Sequence, residues 1–432
     1  MRIAYILADP GIGIFGTKGA SVHAQEMIRA FRTLGHEVTV FTTKRGNTYD
    51  DASSAHVPND LKDLPVFVVP VDGVKGAAAR EQATARASAR MAALAAETQY
   101  DLVYERYSLF STAGARLAAR AQSDLSDGHA FSTDRAQTAA VTRSVPLIVE
   151  VNAPLLAEQS AHRSLHDADT AIQATLRTFA AATVISCVSP PVADWVRRSL
   201  APEPSQGAPH LVLTPNGVNT ERFAPEPTTT PSHRPFTVGF LGTLKPWHGT
   251  DTLLRALASA PAEDRADWRC EILGEGPQLA ELKTLSAELG IAEQVHFRGA
   301  VPPEEVPGEL ARWDAGVAPY PSHEKGGEHY FSPLKIYEYL ASGLPVLASE
   351  VGEIPEVIRH GEHGLLVPGS DPAALGAALA TLAGDSQLRQ RMGIAARAAA
   401  ETQHSWMAKA EHVLEAAGLD SPASVPAQQV MH

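Results

Sequence analysis

Residues 330–349 read YFSPLKIYEYLASGLPVLAS, which predicts a short helix followed directly by a buried strand. Ser332 is a favourable N-cap, Pro333 suits the first helical position, and Gly343 suits the left-handed residue that ends a helix. The apolar run from Pro345 to Ser349 predicts the strand. The helix is therefore bounded at both ends, and its unpaired N–H groups and dipole favour a phosphate or a sugar hydroxyl at its N-terminus.

Glu338 lies more than one turn inside this helix, six residues after Ser332. A carboxylate at this position could bind the two neighbouring hydroxyls of a ribose. A solvated surface residue is the alternative interpretation, although Ile336 and Leu340 leave few polar positions around it. Just upstream, the glycine pair at 326–327 would let the backbone approach a ligand closely.

Strand-like and helical segments alternate through both halves of the 432-residue chain. This order predicts parallel sheets with helices on both faces. Strands are expected at 3–7, 38–42, 66–69, 102–104, 147–151, 184–188 and 211–213, then at 237–241, 270–273, 295–297, 315–318, 345–348 and 364–367. A single long helix is expected at 155–182, and a last helical stretch from about 387 to 417.

The alternation is interrupted by two connectors rich in proline and polar residues, at 201–209 and 225–235, and we expect the domain boundary between them. The expected fold class is α/β, with two doubly wound, Rossmann-like domains. In chain order we expect an N-terminal domain at 1–213 with an exposed insertion at about 123–140, a C-terminal domain at 214–400, a helix at 401–417 that could pack back on the first domain, and a loose tail at 418–432.

The composition is that of a soluble globular enzyme, with 44% hydrophobic and 20% charged residues. The net charge of −13 disfavours nucleic acid or an anionic membrane as the main partner, because like charges repel. Cys187 and Cys270 lie far apart in apolar segments and are expected to be buried thiols, which fits a reducing cytoplasm. The first apolar run stops at Asp9 and Pro10, so it predicts a strand and not a signal peptide, and no apolar run is long enough to span a membrane.

The first loop, residues 10–20, precedes a helix expected from Ser21 and should lie at the carboxyl edge of the first sheet. Gly11, Gly13 and Gly16 match G-x-G-x-x-G, but the helix begins well after the third glycine. An NAD site, the lining of a substrate cleft and an ordinary turn are the three interpretations.

Polar residues follow two further strands of the first half. Glu105, Arg106 and Tyr107 follow one strand, and Glu150 and Asn152 end another, so both groups should project at the carboxyl edge of the sheet and could contact an acceptor. An ion pair between Arg106 and one of the glutamates is the structural alternative.

Asp167 and Asp169 have the spacing of a metal-binding Asp-x-Asp pair. They fall inside the long helix expected at 155–182 and not just after a strand, so we interpret them as a solvated face. No other cluster has metal-ligand spacing.

Several segments together resemble the retaining glycosyltransferases of family 4, which have the GT-B fold. Besides the helix at 332–343, they are TPNGVNTERFAP at 214–225, GFLGTLKPWHG at 239–249, LGEGP at 273–277, VHFRG at 295–299 and GEIPE at 352–356. In the first half, GASVH at 19–23 and LGHEVTV at 34–40 are similar to the family's first helix and second strand. The segments stand in the family's order, which makes the resemblance far more specific than any one motif.

The resemblance implies transfer of a sugar, with retention, from a nucleotide sugar held by the C-terminal domain to a small-molecule or glycan acceptor held by the N-terminal domain, in a cleft between them. No cofactor or metal is expected, and UDP is the expected nucleotide because it is frequent in the family. The donor-binding candidates are Gly242, Thr243, Tyr330, Phe331, Ser332, Pro333, Leu334, Lys335, Glu338, Asn216 and Arg298. The acceptor or cleft candidates are Gly16, Thr17, Lys18, Gly19, Glu105, Arg106, Tyr107, Glu150 and Asn152. The catalytic candidates are Lys245, His248 and His23.

The chain departs from the family pattern at two places. The first glutamate of the family's Glu-x7-Glu signature, which usually binds the donor sugar, falls at Tyr330, and Glu324 or Glu328 could replace it. The arginine and lysine that the family commonly uses for the diphosphate fall at Thr243 and His248. The nearby Lys245 could restore a permanent cation and, with His248, balance the charge of the leaving diphosphate.

Three alternative functions are consistent with this architecture or with these departures from the family pattern. A sugar-nucleotide epimerase and a glycogen-phosphorylase-like enzyme also have two such domains, although no pyridoxal lysine can be placed. A sugar-nucleotide-binding partner subunit without catalysis would account for Tyr330, Thr243 and His248.

Overall fold

A computed structural model of the protein describes residues 1–46, 57–71, 73–123, 145–162, 165–200, 209–225, 234–322 and 329–419. The chain divides into two compact units, one comprising Met1–Pro215 and Lys409–His432, the other Asn216–Ala408. Apart from Ser123, the predicted insertion at 123–140 lies outside the described residues, as does the predicted tail from residue 420 onward.

The first unit is built on one parallel sheet. Its strands are β1 Arg2–Leu7, β2 Glu37–Thr42, β3 Val66–Val68, β4 Leu102–Arg106, β5 Leu147–Val151, β6 Val184–Cys187 and β7 His210–Leu213. They pair in the order β3-β2-β1-β4-β5-β6-β7. Its helices are α1 Gly19–Thr33, α2 Ala77–Ala95, α3 Ala113–Ser123, α4 Leu155–His162, α5 Ala168–Ala181 and α6 Pro190–Leu200.

The second unit repeats this plan. Its strands are β8 Phe236–Leu241, β9 Trp268–Leu273, β10 Val295–Gly299, β11 Ala315–Ala318, β12 Val346–Ser349 and β13 Gly364–Val367, in the parallel order β10-β9-β8-β11-β12-β13. Its helices are α7 Thr250–Ser259, α8 Leu279–Glu288, α9 Val306–Leu310, α10 Leu334–Ala341, α11 Ile354–Val357, α12 Pro372–Gly384 and α13 Ser386–Gln403, and the division between the units falls inside α14 Trp406–Ala416. The α/β class with two doubly wound domains is confirmed.

The order of the strands decides where each unit can bind a ligand. In both sheets the chain first builds outward on one side and then returns to the other, so the direction reverses between β1 and β4 and between β8 and β11. Doubly wound sheets bind ligands beyond the carboxyl ends of their strands at such a reversal. The loops after β1, β4, β8 and β11 are therefore the expected positions of a ligand.

The long helix expected at 155–182 is wrong, because the chain forms α4 and α5 with a break between them. The side chain of Asp167 caps α5 by accepting the backbone N–H of Thr170 at 3.1 Å. The carboxylate of Glu81 accepts the backbone N–H groups of His166 and Asp167 at 3.0 and 2.9 Å. Asp167 is thus a helix cap, not part of a helical solvated face.

The helical stretch expected from about 387 to 417 forms two helices, α13 and α14. The backbone N–H of Val218 donates to the carbonyl of His404 at 2.8 Å, and the N–H of Trp406 donates to the carbonyl of Val218 at 3.2 Å. This pairing takes the chain out of the helical conformation between α13 and α14. None of the helices in the described ranges is both long and apolar enough to cross a membrane.

Gly239 in β8 is tightly enclosed, and its replacement by alanine should be costly. A Cβ there would lie 2.0 Å from the buried ring of Trp313, so the ring or the strand must move. We expect Gly239→Ala to lower the free energy of unfolding by about 1–3 kcal/mol. A Cβ added at Gly308 in α9 would meet nothing within 4 Å, so Gly308→Ala is the control. Urea unfolding of both variants measures the difference, and equal midpoints would contradict this account of β8.

Candidate functional site

The loop after β8 and the start of α10 lie together in the second unit. Gly242 follows β8 with a φ of 142°, a conformation that favours glycine. A Cβ added there would lie 3.0 Å from Nζ of Lys335, which belongs to the first turn of α10. The backbone N–H of Leu241 donates to the hydroxyl of Tyr339 at 2.8 Å and fixes α10 against the end of β8. Lys335 is therefore held beside the point where the strand order reverses.

The N-terminus of α10 differs from its prediction. The helix begins at Leu334, and Pro333 occupies the N-cap position, where its side chain makes no capping hydrogen bond. The hydroxyl of Ser332 instead accepts the backbone N–H of Asn216 at 3.0 Å and lies 3.0 Å from the hydroxyl of Tyr337. The Asn216 amide also donates to the Ser332 carbonyl. Asn216 thus positions the residues that lead into α10.

The side chain of Lys335 is buried at the end of β8, with 7% of the residue exposed. Its ammonium lies 4.0 Å from the ring centroid of Phe240 and 5.2 Å from that of Tyr320. Within the described ranges, Nζ has no hydrogen-bond partner. Burial lowers the pKa of Lys335 to about 7, and the carboxylate of Glu338 opposes this shift. A buried ammonium without an acceptor favours an anion beside it.

His248 and Lys245 lie in the loop between β8 and α7. The half-buried ring of His248 stands 5.8 Å from that of Tyr320, and its Nδ1 forms a short hydrogen bond with the carbonyl of Thr243. Burial, together with the charges of Lys335 and Lys245, lowers the pKa of His248 to about 3. His248 is therefore neutral at pH 7 and adds no positive charge to this group.

The other donor-binding candidates of this segment lie within α10 or just before it. Glu338 is half-buried one turn after Lys335. Tyr330 and Phe331 are half-buried just before the helix, and the Phe331 ring packs 4.5 Å from that of Tyr320. These residues form one continuous group with the loop after β8.

Arg298 is not brought into this group. It is exposed on the edge strand β10, and its guanidinium lies 3.3 Å from the carboxylate of Glu309 in α9. Two strands, β9 and β8, separate it from β11. Glu324 and Glu328, weighed as substitutes at Tyr330, lie outside the described residues.

A second polar group surrounds Glu150 at the end of β5 in the first unit. Its carboxylate lies 2.7 Å from Nε2 of His23 and 2.5 Å from a guanidinium nitrogen of Arg106. It also accepts hydrogen bonds from the hydroxyl of Tyr104, at 2.7 Å, and from the amide of Asn152. Burial acts to raise the pKa of Glu150, but His23, Arg106 and these hydrogen bonds hold it well below its usual range. Four predicted residues thus meet here, and the ion pair given as the alternative for Arg106 is present.

Glu105 and Tyr107 do not take part in this group. Glu105 is fully buried, and its carboxylate accepts hydrogen bonds from the hydroxyl of Ser111 and, at 2.8 Å, from the backbone N–H of Gly114. The hydroxyl of Tyr107 lies 2.8 Å from that of Thr175 in α5. Both side chains therefore connect β4 to the helices packed on the sheet. Their role as acceptor contacts stays a prediction.

The loop before α1 is held by the helix that follows it. α1 begins at Gly19 and not at Ser21. The side-chain amide of Gln25 donates to the carbonyls of Ile14 and Gly16 at 2.9 and 3.1 Å. Thr17 and Lys18, between Gly16 and the start of α1, are exposed.

The sequence predicts neither a metal site nor a disulfide. In the part of the chain that the structure describes, no group of three or more His, Cys, Asp or Glu side chains is arranged around a metal position. Metal independence stays a prediction. Cys187 and Cys270 are free and buried, as expected.

Two family models match successive parts of the chain. The model described as "Glycosyltransferase Family 4" matches residues 17–222, and "Glycosyl transferases group 1" matches residues 226–399. Between them they include both polar groups described above.

Curated proteins and solved structures are similar to the chain as well. A GDP-mannose-dependent alpha-(1-6)-phosphatidylinositol monomannoside mannosyltransferase of Mycolicibacterium smegmatis is 32% identical over 49% of this chain and 56% of its own length, so the chain spans about half of that relative. A D-inositol 3-phosphate glycosyltransferase of Corynebacterium diphtheriae is 28% identical over 95% of this chain and 93% of its own length. The structure of sucrose-phosphate synthase from Thermosynechococcus elongatus superposes with a TM-score of 0.68 at 20% identity, covering 96% of this chain and 98% of the other. At that identity the likeness concerns the fold.

Proposed function

This chain belongs to glycosyltransferase family 4, and from that membership we propose that it transfers a sugar from a nucleoside diphosphate sugar to a hydroxyl acceptor with retention of configuration. A relative that aligns over 95% of this chain is named as a glycosyltransferase. Neither the epimerase nor the non-catalytic subunit has comparable support.

The observation that carries the proposal is the position of Lys335 and Glu338, one turn apart on α10 and beside the loop after β8. A carboxylate can accept both hydroxyls of a ribose, and the first turn of α10, which Pro333 does not cap, offers N–H groups to a phosphate or sugar oxygen. Lys245 supplies a further positive charge in the same loop. The sugar, the diphosphate and the ribose of the donor can therefore be bound along one short segment.

In the proposed reaction, the bond between the anomeric carbon and the diphosphate oxygen breaks, and its electron pair stays on the diphosphate. The acceptor oxygen forms the new bond on the same face of the sugar, and its proton passes to the departing diphosphate oxygen. Cations and N–H groups already in place at that oxygen stabilise the developing charge, an effect worth about 3–4 kcal/mol for a well-placed donor. No covalent sugar–protein intermediate and no metal are included in the proposal.

The acceptor side of the proposal rests on the Glu150 group. His23, Arg106 and Asn152 are ordered around one carboxylate at the carboxyl edge of the first sheet. Side chains ordered in this way can bind sugar or inositol hydroxyls with little loss of conformational entropy. We therefore assign His23, Arg106 and Asn152 to acceptor binding.

The donor base and the acceptor are proposed by class. UDP is our expectation for the nucleotide, and the name of the Mycolicibacterium relative makes GDP-mannose the specific alternative. The name of the Corynebacterium relative makes an inositol phosphate the first acceptor to test.

Incubation of the purified chain with UDP-glucose, UDP-N-acetylglucosamine and GDP-mannose tests the proposal. A donor at about 100 times its Kd should stabilise the protein by about 2.7 kcal/mol and raise its unfolding temperature. Nucleoside diphosphate release that depends on an added inositol phosphate or glycan, with the product's anomeric configuration read by NMR, then tests transfer and retention. A panel in which no sugar nucleotide binds or is consumed contradicts the proposal.

A further inference from the structure

We infer that the ammonium of Lys335 contacts the diphosphate of the donor and of the nucleoside diphosphate product, and that it supplies the positive charge missing at Thr243 and His248. This inference rests on the proposed function, since it concerns the same donor. It assigns the diphosphate to a lysine on α10, whereas the family pattern places its cations in the loop after β8.

The first argument is the position of Nζ. It is directed at Gly242, where a Cβ would lie 3.0 Å away, and so it lies at the carboxyl end of β8. Lys335 is the second residue of α10, so the ammonium and the N–H groups of the first turn are neighbours. An anion bound at that turn meets a helix N-terminus and the Lys335 ammonium together.

The second argument is the absence of an acceptor. Lys335 is 7% exposed, and among the described residues no oxygen accepts from Nζ, so the ammonium has lost most of its water without gaining a hydrogen bond. The rings of Phe240 and Tyr320 compensate only in part, because a ring face accepts no strong hydrogen bond. A lysine with only a packing role would be replaced at lower cost by methionine, which has a similar shape and no charge. The buried charge therefore indicates a role with an anion.

The third argument is the contrast with the other cations of the site. His248 is neutral at pH 7 because burial and two lysines lower its pKa. Lys245 is half-buried, and its Nζ lies 5.5 Å from the ring of Trp247, which is 57% exposed. Water screens a charge there more strongly than it screens one buried at Lys335. Lys335 should accordingly contribute more to diphosphate affinity than Lys245.

Titratable side chains face Lys335 from the elements packed around it. Glu338 lies on the same helix, His248 lies in the loop after β8, and Tyr320 follows β11. Lys245, in the same loop, interacts with His248. The pKa of His248 is about 3, and burial raises that of Tyr320 far above neutrality. The protonation of Lys335 should consequently dominate the pH dependence of diphosphate binding near neutrality.

The test is calorimetric binding of UDP and GDP, and of UMP and GMP, to the full chain and to Lys335→Met. The variant is expected to weaken binding of the diphosphate by about 100-fold, as for a lost charge-assisted hydrogen bond, and that of the monophosphate by less than about fivefold. Its unfolding temperature without ligand should equal or exceed that of the wild type, because a buried charge is removed. The control is Lys283→Met on α8, an exposed lysine 5.9 Å from the ring of Phe297, which should change neither affinity.

A pH series with the sugar nucleotide gives a second readout that a packing role would not alter. The diphosphate of a sugar nucleotide has no group that titrates near neutrality. A terminal phosphate differs, because its second pKa is about 6. Affinity should fall above about pH 7 in the wild type as Lys335 loses its proton, and should be nearly flat in Lys335→Met. Lys335→Arg, which keeps its charge at every pH used, should retain most of the preference for diphosphate.

Unchanged preference for diphosphate in Lys335→Met overturns the inference and leaves the proposed function standing. If the methionine variant does not fold, loss of the pH dependence in a folded Lys335→Arg decides the question, and a wild-type pH profile in that variant overturns the inference. A wild-type chain that binds no nucleotide contradicts the proposed function and this inference with it.

Discussion

Replacing Glu338 with glutamine is expected to lower kcat/KM for the sugar nucleotide by about 100-fold or more. In the proposed complex the carboxylate accepts two ribose hydroxyls, whereas glutamine offers one acceptor oxygen and directs its NH₂ group at the other hydroxyl. The change also removes the negative charge that raises the pKa of Lys335, so less positive charge remains beside the diphosphate at neutral pH. Initial rates at varied donor concentration measure the ratio.

The control is Glu288→Gln, at an exposed glutamate of α8, which should have wild-type kinetics. The unfolding temperature of Glu338→Gln should stay close to that of the wild type, because Glu338 is only half-buried. A folded Glu338→Gln protein with unchanged kcat/KM would remove Glu338 from the donor site. It would leave the family assignment intact, since that rests on the models that match residues 17–222 and 226–399.

Much of the fold could be predicted from local sequence. Strands β1 to β13 were expected within two residues of their observed bounds, because strands of a parallel sheet are buried on both faces and form short apolar runs. The predicted left-handed residue that ends α10, Gly343 with a φ of 68°, is confirmed. It could be predicted because a glycine at this position is itself a local signal for the end of a helix. The breaks before α5 and α14 were missed because Glu81 and Val218, which pair with the chain there, are distant in sequence.

The candidate sites could be predicted only in part, because the sequence does not show which side chains point to the same face of a sheet. Neighbouring strand residues point to opposite faces, so Glu105 and Arg106 cannot both reach the same group, and the sequence does not say which one does. The register of β4 and β5 decides it by placing Arg106 opposite Glu150. The burial of Lys335 was missed likewise, because the rings that enclose it come from Phe240 on β8 and Tyr320 after β11. Their proximity follows from the strand order, which no local pattern encodes.

Glu150→Gln is expected to lower the stability of the first unit by about 3–5 kcal/mol, because it leaves the buried Arg106 without its counter-charge. Glutamine also directs an NH₂ group at donors, including the amide of Asn152. Hydrogen exchange of the β4 and β5 amides in the full chain reports the opening free energy of this region. The control is Glu97→Gln at an exposed glutamate after α2, which should leave exchange unchanged.

Adding Arg106→Met to Glu150→Gln should recover part of the loss, since no buried charge then lacks a partner. The pH dependence follows from the depressed pKa of Glu150. The folded protein binds fewer protons at this carboxyl than the unfolded chain, so its stabilisation is complete above the ordinary glutamate pKa of about 4.3 and is lost as the pH falls below that value. The difference between wild type and Glu150→Gln should therefore be largest above about pH 5 and shrink towards pH 3. A difference that is the same at both ends would show that the shape of the side chain, and not its charge, stabilises the group.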